Sequence, residues 1–577
     1  MVTTNTNLDI RVWPGVVIVV LQWLAVFGSG IVAPASPIQV FGMMGGPSIG
    51  ALLLFVWWLF ASRAPWPDRL GAVGLMIVAF VGAMYLVHES MRMATVVYGI
   101  PFLCLAFVGW AIVARRWPEG RRRLAMVATI LVASGVWTLL RSDGVQGDLS
   151  VEFAWRWGAT AETRFLASKA SSRPLEPVAP TAVDTGVVEA QWPGFRGAAR
   201  DGVVTDVRLA TDWTSSPPEE IWRRPIGPGW SSFAVAGDRL YTQEQRGEDE
   251  VVACYNATNG EPVWLHTDRA RFWEAMAGPG PRATPTFHAG RVYVFGATGI
   301  LNALDAVDGS LLWTRDAAAD TGASTPDWGF ASSPLVVDGL VVVLTGGPDG
   351  KAVVAYDIDT GEPRWFAPAG ALSYSSAHLA TIDGTRQIIV LTGDGATSLA
   401  PADGTVLWEH AWPMGGGARI VQPAITADGS VLIGTGFGIG LRRITVSLDS
   451  GGWTTEERWT STRLKPYYND LVVHRDHVYG FDGRILACLD LASGERKWKG
   501  GRYGNGQLIL LPDQDLLLVL SDRGEVALVE ADPAGFSELA RVPAIVGKTW
   551  NHPVRVDDVL YVRNGEEMAA LRLPVAQ

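Results

Sequence analysis

The feature that most constrains the fold is a ten-residue frame that recurs along the second part of the chain. Each copy has Gly at its sixth position and Trp at its tenth. The copies are Tyr255–Trp264, Leu304–Trp313, Tyr356–Trp365, Leu399–Trp408 and Leu489–Trp498. The glycine suits a tight turn between strands, where the backbone needs a positive φ. A period of about 40–50 residues with short strands is typical of a β-propeller.

A second repeat predicts the number of blades. Each unit opens with a small polar or amide residue ahead of a β-rich run. These openings are Ser232, Thr284, Ser333, Ser376, Gln422, Asn469, Gln507 and His552. The eighth unit has only three strands before the chain ends, and a degenerate frame ends at Trp459. We expect the missing strand to come from residues 220–223, around Trp222, so that the N-terminal edge closes an eight-bladed ring.

The first part of the chain carries apolar runs of a different kind. These are residues 12–33, 46–62, 69–87, 95–114 and 123–140. Each run is about long enough to cross a bilayer as a helix, and one signal peptide does not explain five of them. The predicted fold is therefore an all-β eight-bladed propeller preceded by an α-helical transmembrane domain of about five helices.

Together, these patterns predict that the chain is divided into three segments. Residues 1–142 form a five-helix transmembrane anchor, 143–189 an extracytoplasmic linker and 190–577 the propeller. Within the linker, the aromatic-rich stretch 143–166 either lies along the membrane interface or forms a short helix packed on the propeller. Residues 167–189 are rich in Ala, Ser and Pro, which indicates an extended segment.

The distribution of arginines predicts the orientation in the membrane. Residues 115–123 contain five arginines and residues 63–69 contain two, whereas residues 34–45 contain none. Positively charged loops stay in the cytoplasm, and they also contact anionic membrane lipid. We therefore expect a multi-pass protein of the bacterial inner membrane, with a cytoplasmic N-terminus and a periplasmic propeller.

Net charge limits the possible binding partners, and the cysteine positions limit the possible disulfides. Residues 1–142 have ten Lys or Arg and four Asp or Glu, so a chain of net charge −11 leaves −17 for the remainder. Such an acidic propeller excludes nucleic acid as a partner. Cys254 and Cys488 occupy the same position in blades that lie far apart, so we expect them to be small buried residues and not a disulfide.

The Asp-x-x-x-Gly-x-x-x-Trp frame resembles the repeat of the pyrroloquinoline quinone (PQQ)-like propellers, the quinoprotein alcohol dehydrogenase-like superfamily. The resemblance covers about residues 190–577. In blade size the chain is similar to the BamB family of the outer-membrane assembly machinery, which implies envelope-protein partners and no cofactor. In layout it is similar to membrane-bound quinoprotein glucose dehydrogenase, which implies PQQ with calcium and electron transfer to ubiquinone.

Cationic and aromatic residues precede the strand openings, and we expect them to rim one end of the central channel. The candidate cofactor-binding residues are Arg282, Trp328, Tyr374, Arg419, Lys465, Asn469, Lys548 and Trp550. Aromatic faces and guanidinium groups suit a planar polyanion such as PQQ. Two other interpretations stay open, namely polar strand ends that face channel water and a binding site for a protein peptide.

Dehydrogenation of an alcohol requires a carboxylate base and a Ca²⁺ ion that acts as a Lewis acid. The candidate catalytic residues are Asp327 and Asp470, with Glu244 as a third carboxylate. None lies in a motif of the dehydrogenases, and the adjacent cysteine pair of the methanol-oxidising members is absent. We therefore predict a ligand- or protein-binding scaffold of the cell envelope. The alternative is a PQQ- and calcium-dependent dehydrogenase, and a sensor ranks third.

Overall fold

The computed structural model describes residues 10–32, 37–145, 150–170, 189–205, 207–370, 373–415 and 418–576. It divides into two compact units, each of which is described by itself. The helical unit is Met1–Ala159 with Ala275–Ala277, and the propeller unit is Thr160–Glu274 with Gly278–Gln577. Much of the predicted linker, residues 146–149 and 171–188, lies outside the described residues.

The helical unit contains five helices that are long and apolar enough to cross a membrane by length and composition, as the sequence predicts. These are Trp13–Val32, Ile38–Ala61, Trp66–Leu86, Glu89–Ala114 and Glu119–Leu139. Three of them include a π-helical turn, at Leu24–Gly28, Trp57–Ala61 and Thr95–Gly99. A two-stranded antiparallel sheet, Leu140–Val145 with Val151–Trp155, completes the unit.

The helices pack through aromatic side chains and one buried ionic contact. Trp58 and Phe107 are fully buried, and their ring centroids lie 4.7 Å apart in an edge-to-face arrangement. The carboxylate of Asp68, which is 4 % exposed, accepts hydrogen bonds from Arg122 at 2.9 Å and from Arg123 at 2.6 Å. This contact brings the start of helix Trp66–Leu86 and the start of Glu119–Gly135 to the same end of the unit.

The propeller consists of eight four-stranded antiparallel sheets, which confirms the predicted number of blades. From the inner to the outer strand, blades 1 to 4 are Ala234–Ala236, Arg239–Arg246, Asp249–Asn256 and Pro262–Asp268; Thr286–His288, Arg291–Phe295, Ile300–Asp305 and Leu311–Asp316; Leu335–Val337, Leu340–Leu344, Val353–Asp357 and Pro363–Ala367; His378–Ile382, Thr385–Leu391, Gly395–Leu399 and Val406–Ala411.

Blades 5 to 8 follow the same order around the ring. Their strands are Ala424–Ile425, Val431–Thr435, Gly440–Asp449 and Gly452–Ser461; Val472–His474, His477–Asp482, Ile485–Asp490 and Arg496–Arg502; Gln507–Leu511, Leu516–Leu520, Glu525–Glu530 and Glu538–Pro543; Val554–Val556, Val559–Arg563, Glu567–Arg572 and Glu219–Pro225. The outer strand of blade 8 thus comes from the N-terminal edge, as predicted, and Trp222 pairs with Ala570. This pairing closes the ring.

The recurring Gly–Trp frame joins neighbouring blades. Gly309, in the turn of blade 2, has a φ of +75°, and a Cβ added there would lie 2.4 Å from the Trp264 ring of blade 1. The Trp264 indole in turn donates to the carbonyl of Ala306, 3.1 Å away in blade 2. The same contact recurs where Gly260, Gly361, Gly404 and Gly494 face Trp222, Trp313, Trp365 and Trp459. At these turns the tryptophan of one blade packs on the next blade, where only glycine leaves room for it.

A short helix, Ala161–Ala170, packs on blade 1 of the propeller unit. Its Phe165 is 4 % exposed and lies under the guanidinium of Arg246, 5.3 Å from the ring centroid. Its Glu162 accepts hydrogen bonds from the backbone of Gly247 at 2.8 Å and from Arg271 at 2.9 Å. Of the two interpretations of residues 143–166, the packed helix is thus correct for residues 161–166.

Candidate functional site

The residues that open the inner strands form a chain of hydrogen bonds around the channel. The backbone N–H of one opening residue donates to the side chain of the opening residue in the next blade. The bonds are Ser232 to Thr284 at 3.0 Å, Thr284 to Ser333 at 3.0 Å, Ser333 to Ser376 at 2.8 Å, Ser376 to Gln422 at 3.0 Å and Gln422 to Asp470 at 2.6 Å. These six residues, the channel ring, hold adjacent blades at a fixed spacing.

In blade 6 the structure corrects the predicted opening residue. Asp470, not Asn469, accepts the hydrogen bond from Gln422 and belongs to the channel ring. The side-chain oxygen of Asn469 instead accepts from the backbone N–H of Tyr467 at 2.9 Å. The sequence pattern missed this shift because Asn469 and Asp470 are adjacent polar residues, and either one can open the strand.

One end of the channel is closed by residues 192–204, which we call the plug. Trp192 bridges to Val235 of blade 1, and Val203 bridges to Leu510 of blade 7. Between them, Arg200 donates to the carbonyl oxygens of Ser333 at 3.0 Å and Pro334 at 2.7 Å. A buried guanidinium thus satisfies carbonyls of the inner strands from the channel axis.

The sequence did not predict the plug. Residues 192–204 fall at the start of the predicted propeller, 190–577, but no role was expected for Arg196 or Arg200, which are 2 % and 8 % exposed. Both arginines have a positive φ, 63° and 56°. The only sequence signal was their position in a stretch that also contains Gly194, Gly197 and Gly202.

The other end of the channel, the mouth, is lined by aromatic side chains that precede the residues opening the inner strands. Neighbouring ring centroids lie 4.8 to 6.5 Å apart in a continuous series. In order of contact, the series is Trp230, Trp550, Tyr468, Tyr467, Trp328 and Tyr374. We call it the aromatic row. The sequence predicted Trp328, Tyr374 and Trp550 as site residues and missed Tyr467 and Tyr468.

The predicted cations at the mouth are already engaged with protein groups. Arg282 contacts Glu274 at 3.1 Å and lies over the ring of Phe272, 4.7 Å from its centroid. Burial lowers the pKa of Arg282 to about 10, although Glu274 acts in the opposite direction. Lys465 forms an ion pair with Asp482, a carboxylate that also binds Arg496 and Lys499.

Arg419 and Lys548 occupy two further environments. Arg419 is fully buried, donates to the carbonyl oxygens of Thr392 and Trp412, and does not reach the rim as expected from the sequence. Burial is the main cause that lowers its pKa, to about 10. The Lys548 ammonium lies 4.5 Å from the Trp550 centroid and 5.2 Å from that of Trp230, within cation–π range.

The three candidate carboxylates do not come together. Asp327 is exposed at the rim. Asp470 lies inside the channel, 3.5 Å from Arg196, and burial raises the pKa of its carboxyl while Arg196 opposes the rise. Glu244 is fully buried in blade 1, where Arg246 donates to it at 2.9 Å and Tyr255 at 2.8 Å.

The contacts of the predicted cations and aromatic rings bear on whether PQQ fits the mouth. A planar polyanion needs cations that are available for bidentate pairing and a ring face that is open for stacking. Arg282, Arg419 and Lys465 are held by carboxylates or carbonyls, and the rings of the aromatic row contact one another. In the described part of the chain, no group of three or more acidic, His or Cys side chains is placed to hold a metal ion. Three of the four predicted cations, and the rings of the aromatic row, are therefore engaged with other protein groups.

Comparison with known proteins supports the similarity to the BamB family. A family model described as outer membrane protein assembly factor BamB matches residues 200–325 and 265–500. The BamB protein of Shewanella oneidensis is 24 % identical over 386 residues, which cover 62 % of this chain and 89 % of that protein. BamB of Burkholderia pseudomallei is 23 % identical over 370 residues, 59 % of this chain and 88 % of that protein.

Quinoproteins are also among the similar proteins. The quinohemoprotein alcohol dehydrogenase ADH-IIG of Pseudomonas putida is 34 % identical over 137 residues, 23 % of this chain and 18 % of that protein. The crystal structure of BamB from Moraxella catarrhalis covers 62 % of this chain and 100 % of its own, at 16 % identity and a TM-score of 0.47. Because the family model spans more than half of the chain, this protein belongs to the PQQ-like propeller family of the outer membrane protein assembly factor BamB.

Proposed function

We infer that this protein is a membrane-anchored, periplasmic scaffold that binds another protein of the cell envelope at the mouth of its propeller. The observation that carries this proposal is the mouth itself. Its aromatic row is held in place by ring contacts, while the cations expected to receive a cofactor are bound to protein groups. The relatives that match most of their own length are named assembly factors.

The chemistry of the mouth suits a protein partner. Trp and Tyr are enriched among the residues that contribute most to protein–protein binding, because they offer large rigid faces with a polar tip. Phe437 extends this surface, since its ring lies 4.9 Å from that of Tyr467 and its side chain is 47 % exposed. Half-buried rings that are already ordered lose little conformational entropy when a partner binds.

A crosslinking experiment tests the proposal. A photoreactive amino acid at Phe437 leaves the aromatic row intact, whereas the same residue at Thr258 lies on an exposed turn of blade 1 and serves as the matched control. We expect a discrete envelope-protein adduct from position 437 and none from position 258 after irradiation of intact cells. Equal adducts from both positions, or none from either, would contradict a partner site at the mouth.

The membrane anchor belongs to the same proposal. The five candidate spans and the arginines of residues 115–123 favour an inner-membrane protein in contact with anionic lipid, with its N-terminus in the cytoplasm. Because Cys104, Cys254 and Cys488 are all buried, an impermeant thiol reagent reports on an introduced cysteine. We expect labelling of Thr258→Cys in cells whose outer membrane is permeabilised, and labelling of Gly120→Cys only after lysis. The reverse pattern would contradict the orientation.

A dehydrogenase is the second candidate, and the 34 % identical stretch shared with the quinohemoprotein alcohol dehydrogenase favours it. PQQ with calcium would then oxidise an alcohol or a sugar, and ubiquinone would accept the electrons. Asp327 is the better candidate base, because Asp470 is buried against Arg196. Dye-linked oxidation that requires PQQ and Ca²⁺ and is lost in Asp327→Asn would favour this candidate over the scaffold.

A further inference from the structure

The axis of the propeller channel carries an unbalanced charge. Arg196, Arg200 and Asp470 are 2 %, 8 % and 5 % exposed, so all three ionisable groups are removed from water. Asp470 forms the one ion pair with a plug arginine among the described residues, to Arg196 at 3.5 Å. Asp201, the neighbour of Arg200 in sequence, is exposed to solvent. Two guanidiniums therefore share one buried carboxylate.

The histidines of the channel do not change this balance. Burial lowers the pKa of both His378 and His552 to about 3, and the positive charges nearby lower it further. Arg200 and Arg196 act on His378, and Arg196 acts on His552. Both imidazoles are therefore neutral at physiological pH, and the buried groups on the axis sum to one positive charge.

Arg200 has no carboxylate within ion-pair distance among the residues that the structure describes. Its guanidinium donates to the carbonyl oxygens of Ser333, Pro334 and Ala377, which supply partial negative charge but no counterion. Burial lowers the pKa of Arg200 to about 10. An isolated buried charge is costly unless an opposite charge lies nearby.

A further polar group beside Arg200 has no hydrogen-bond partner. The Nδ1 atom of His378, the residue after Ala377, is buried and lacks a partner among the described residues. A neutral imidazole carries one N–H, and the tautomer with that proton on Nδ1 makes His378 a donor. Buried donors of this kind usually have a bound acceptor, either water or an ion.

We propose that the channel binds one small monovalent anion, such as chloride, beside the plug arginines. The anion balances the charge of Arg200 and accepts a hydrogen bond from His378. The occupant is small because the channel ring joins neighbouring inner strands through single side chains and the plug closes one end. The site is separate from the aromatic row and does not depend on the function proposed for the mouth.

Chloride-dependent stability tests the site. The full-length protein in detergent is unfolded by heat in sodium chloride and in sodium gluconate of equal ionic strength, which keeps charge screening the same. A ligand that binds only the folded state raises Tm, and we expect a saturable rise of about 2–4 °C in chloride. Line broadening in the chloride NMR signal measures binding directly.

Two variants should change chloride binding in opposite directions. Asp470→Asn removes the one buried carboxylate that contacts the plug in the described part of the chain, so chloride should bind at least tenfold more tightly. Arg200→Gln removes the uncompensated charge, so the chloride dependence should disappear. Arg555→Gln is the control, because Arg555 is also buried but donates to Val207, outside the channel ring.

The outcomes separate an anion from water. A chloride-specific Tm rise in the parent protein that grows in Asp470→Asn and persists in Arg555→Gln supports the proposal. Equal Tm values in chloride and gluconate for both the parent and Asp470→Asn overturn it, since water would then satisfy the donors. A chloride effect that survives unchanged in Arg200→Gln also overturns it. If Arg200→Gln does not fold, the comparison of Asp470→Asn with the parent protein still tests the proposal.

Discussion

Tyr467 meets Trp328 across the channel mouth, with ring centroids 6.5 Å apart and ring planes at 87°. The two residues precede the inner strands of blades 6 and 3, so this contact joins blades that are not neighbours in the ring. It links the Trp230–Trp550 pair to the Trp328–Tyr374 pair through Tyr468. The mouth therefore carries a continuous series of aromatic contacts.

Tyr467→Ala should separate the two halves of the aromatic row. The variant loses ring contacts with Trp328, Tyr468 and Phe437, and we expect a loss of about 2 kcal/mol in the free energy of unfolding. Urea unfolding followed by tryptophan fluorescence measures the loss. Phe437→Ala is the control, because its ring contacts one other ring within the described ranges and is 47 % exposed. Equal losses in the two variants would contradict a joining role for Tyr467.

The glycine of the repeated frame should be required by packing and not only by its backbone angle. Gly309 and Gly339 have φ of +75° and +76°, but only Gly309 faces a tryptophan ring, while no atom lies within 4 Å of a Cβ at Gly339. Gly339→Ala should cost about 1–2 kcal/mol from backbone strain alone. Gly309→Ala should cost about 2 kcal/mol more, because Trp264 must move. Similar losses in urea unfolding would show that blade-to-blade packing tolerates the methyl group.

Trp222 should control closure of the ring. Its indole donates to the carbonyl of Ala257 at 2.9 Å, and its strand pairs with Glu567–Arg572 of blade 8. Trp222→Phe removes the hydrogen bond and should cost about 1 kcal/mol. Trp222→Ala also removes the ring and should cost about 3–5 kcal/mol. Hydrogen exchange should then show faster opening in blade 8 than in blade 4; uniform exchange across the propeller would contradict a local role in closure.

Glu250 should make the propeller more stable at mildly acidic pH. Burial, opposed by a hydrogen bond from Ala297, raises the pKa of its carboxyl from 4.5 to about 7. Folded Glu250 therefore holds a proton between these pH values, whereas the unfolded side chain has lost it. This contribution to stability is full at or below about pH 4.5 and is lost as the pH rises through about 7.

Glu250→Gln removes the titrating group and keeps an oxygen for the Ala297 N–H. At pH 8 the variant should be more stable than the parent, by at most about 3 kcal/mol, and at pH 5 the two should differ little. Urea unfolding at the two pH values measures the difference. A parent protein whose stability relative to Glu250→Gln does not change between pH 5 and pH 8 would contradict the raised pKa.

The architecture was predictable because its determinants repeat locally. Gly309 and Trp264 show why, since the same pairing of a turn glycine with a tryptophan recurs at Gly260, Gly361, Gly404 and Gly494. In blade 5 the Gly–Trp spacing of the frame is not kept, because the two strands of its outer hairpin are longer. These strands, Gly440–Asp449 and Gly452–Ser461, have ten residues each. The position of Trp222 was predictable because this residue continues the regular spacing of the repeat tryptophans.

The site was less predictable because its contacts join residues far apart in sequence. Arg200 binds Ser333 and Pro334, more than one hundred residues away, and no local pattern marks that pairing. A basic residue ahead of a strand suggested a rim position for Arg419, yet its carbonyl partners bury it fully. Charge and spacing alone do not reveal which cations are already paired in the folded protein.

The central claim is that the mouth binds a protein and not PQQ, and a cofactor titration tests it most directly. PQQ is added to the full-length protein with and without Ca²⁺, and quenching of tryptophan fluorescence is followed because Trp230, Trp328 and Trp550 line the mouth. We expect no saturable quenching up to high micromolar PQQ. Saturable, Ca²⁺-dependent quenching that weakens in Arg282→Ala and Lys548→Ala would contradict the account and favour the dehydrogenase.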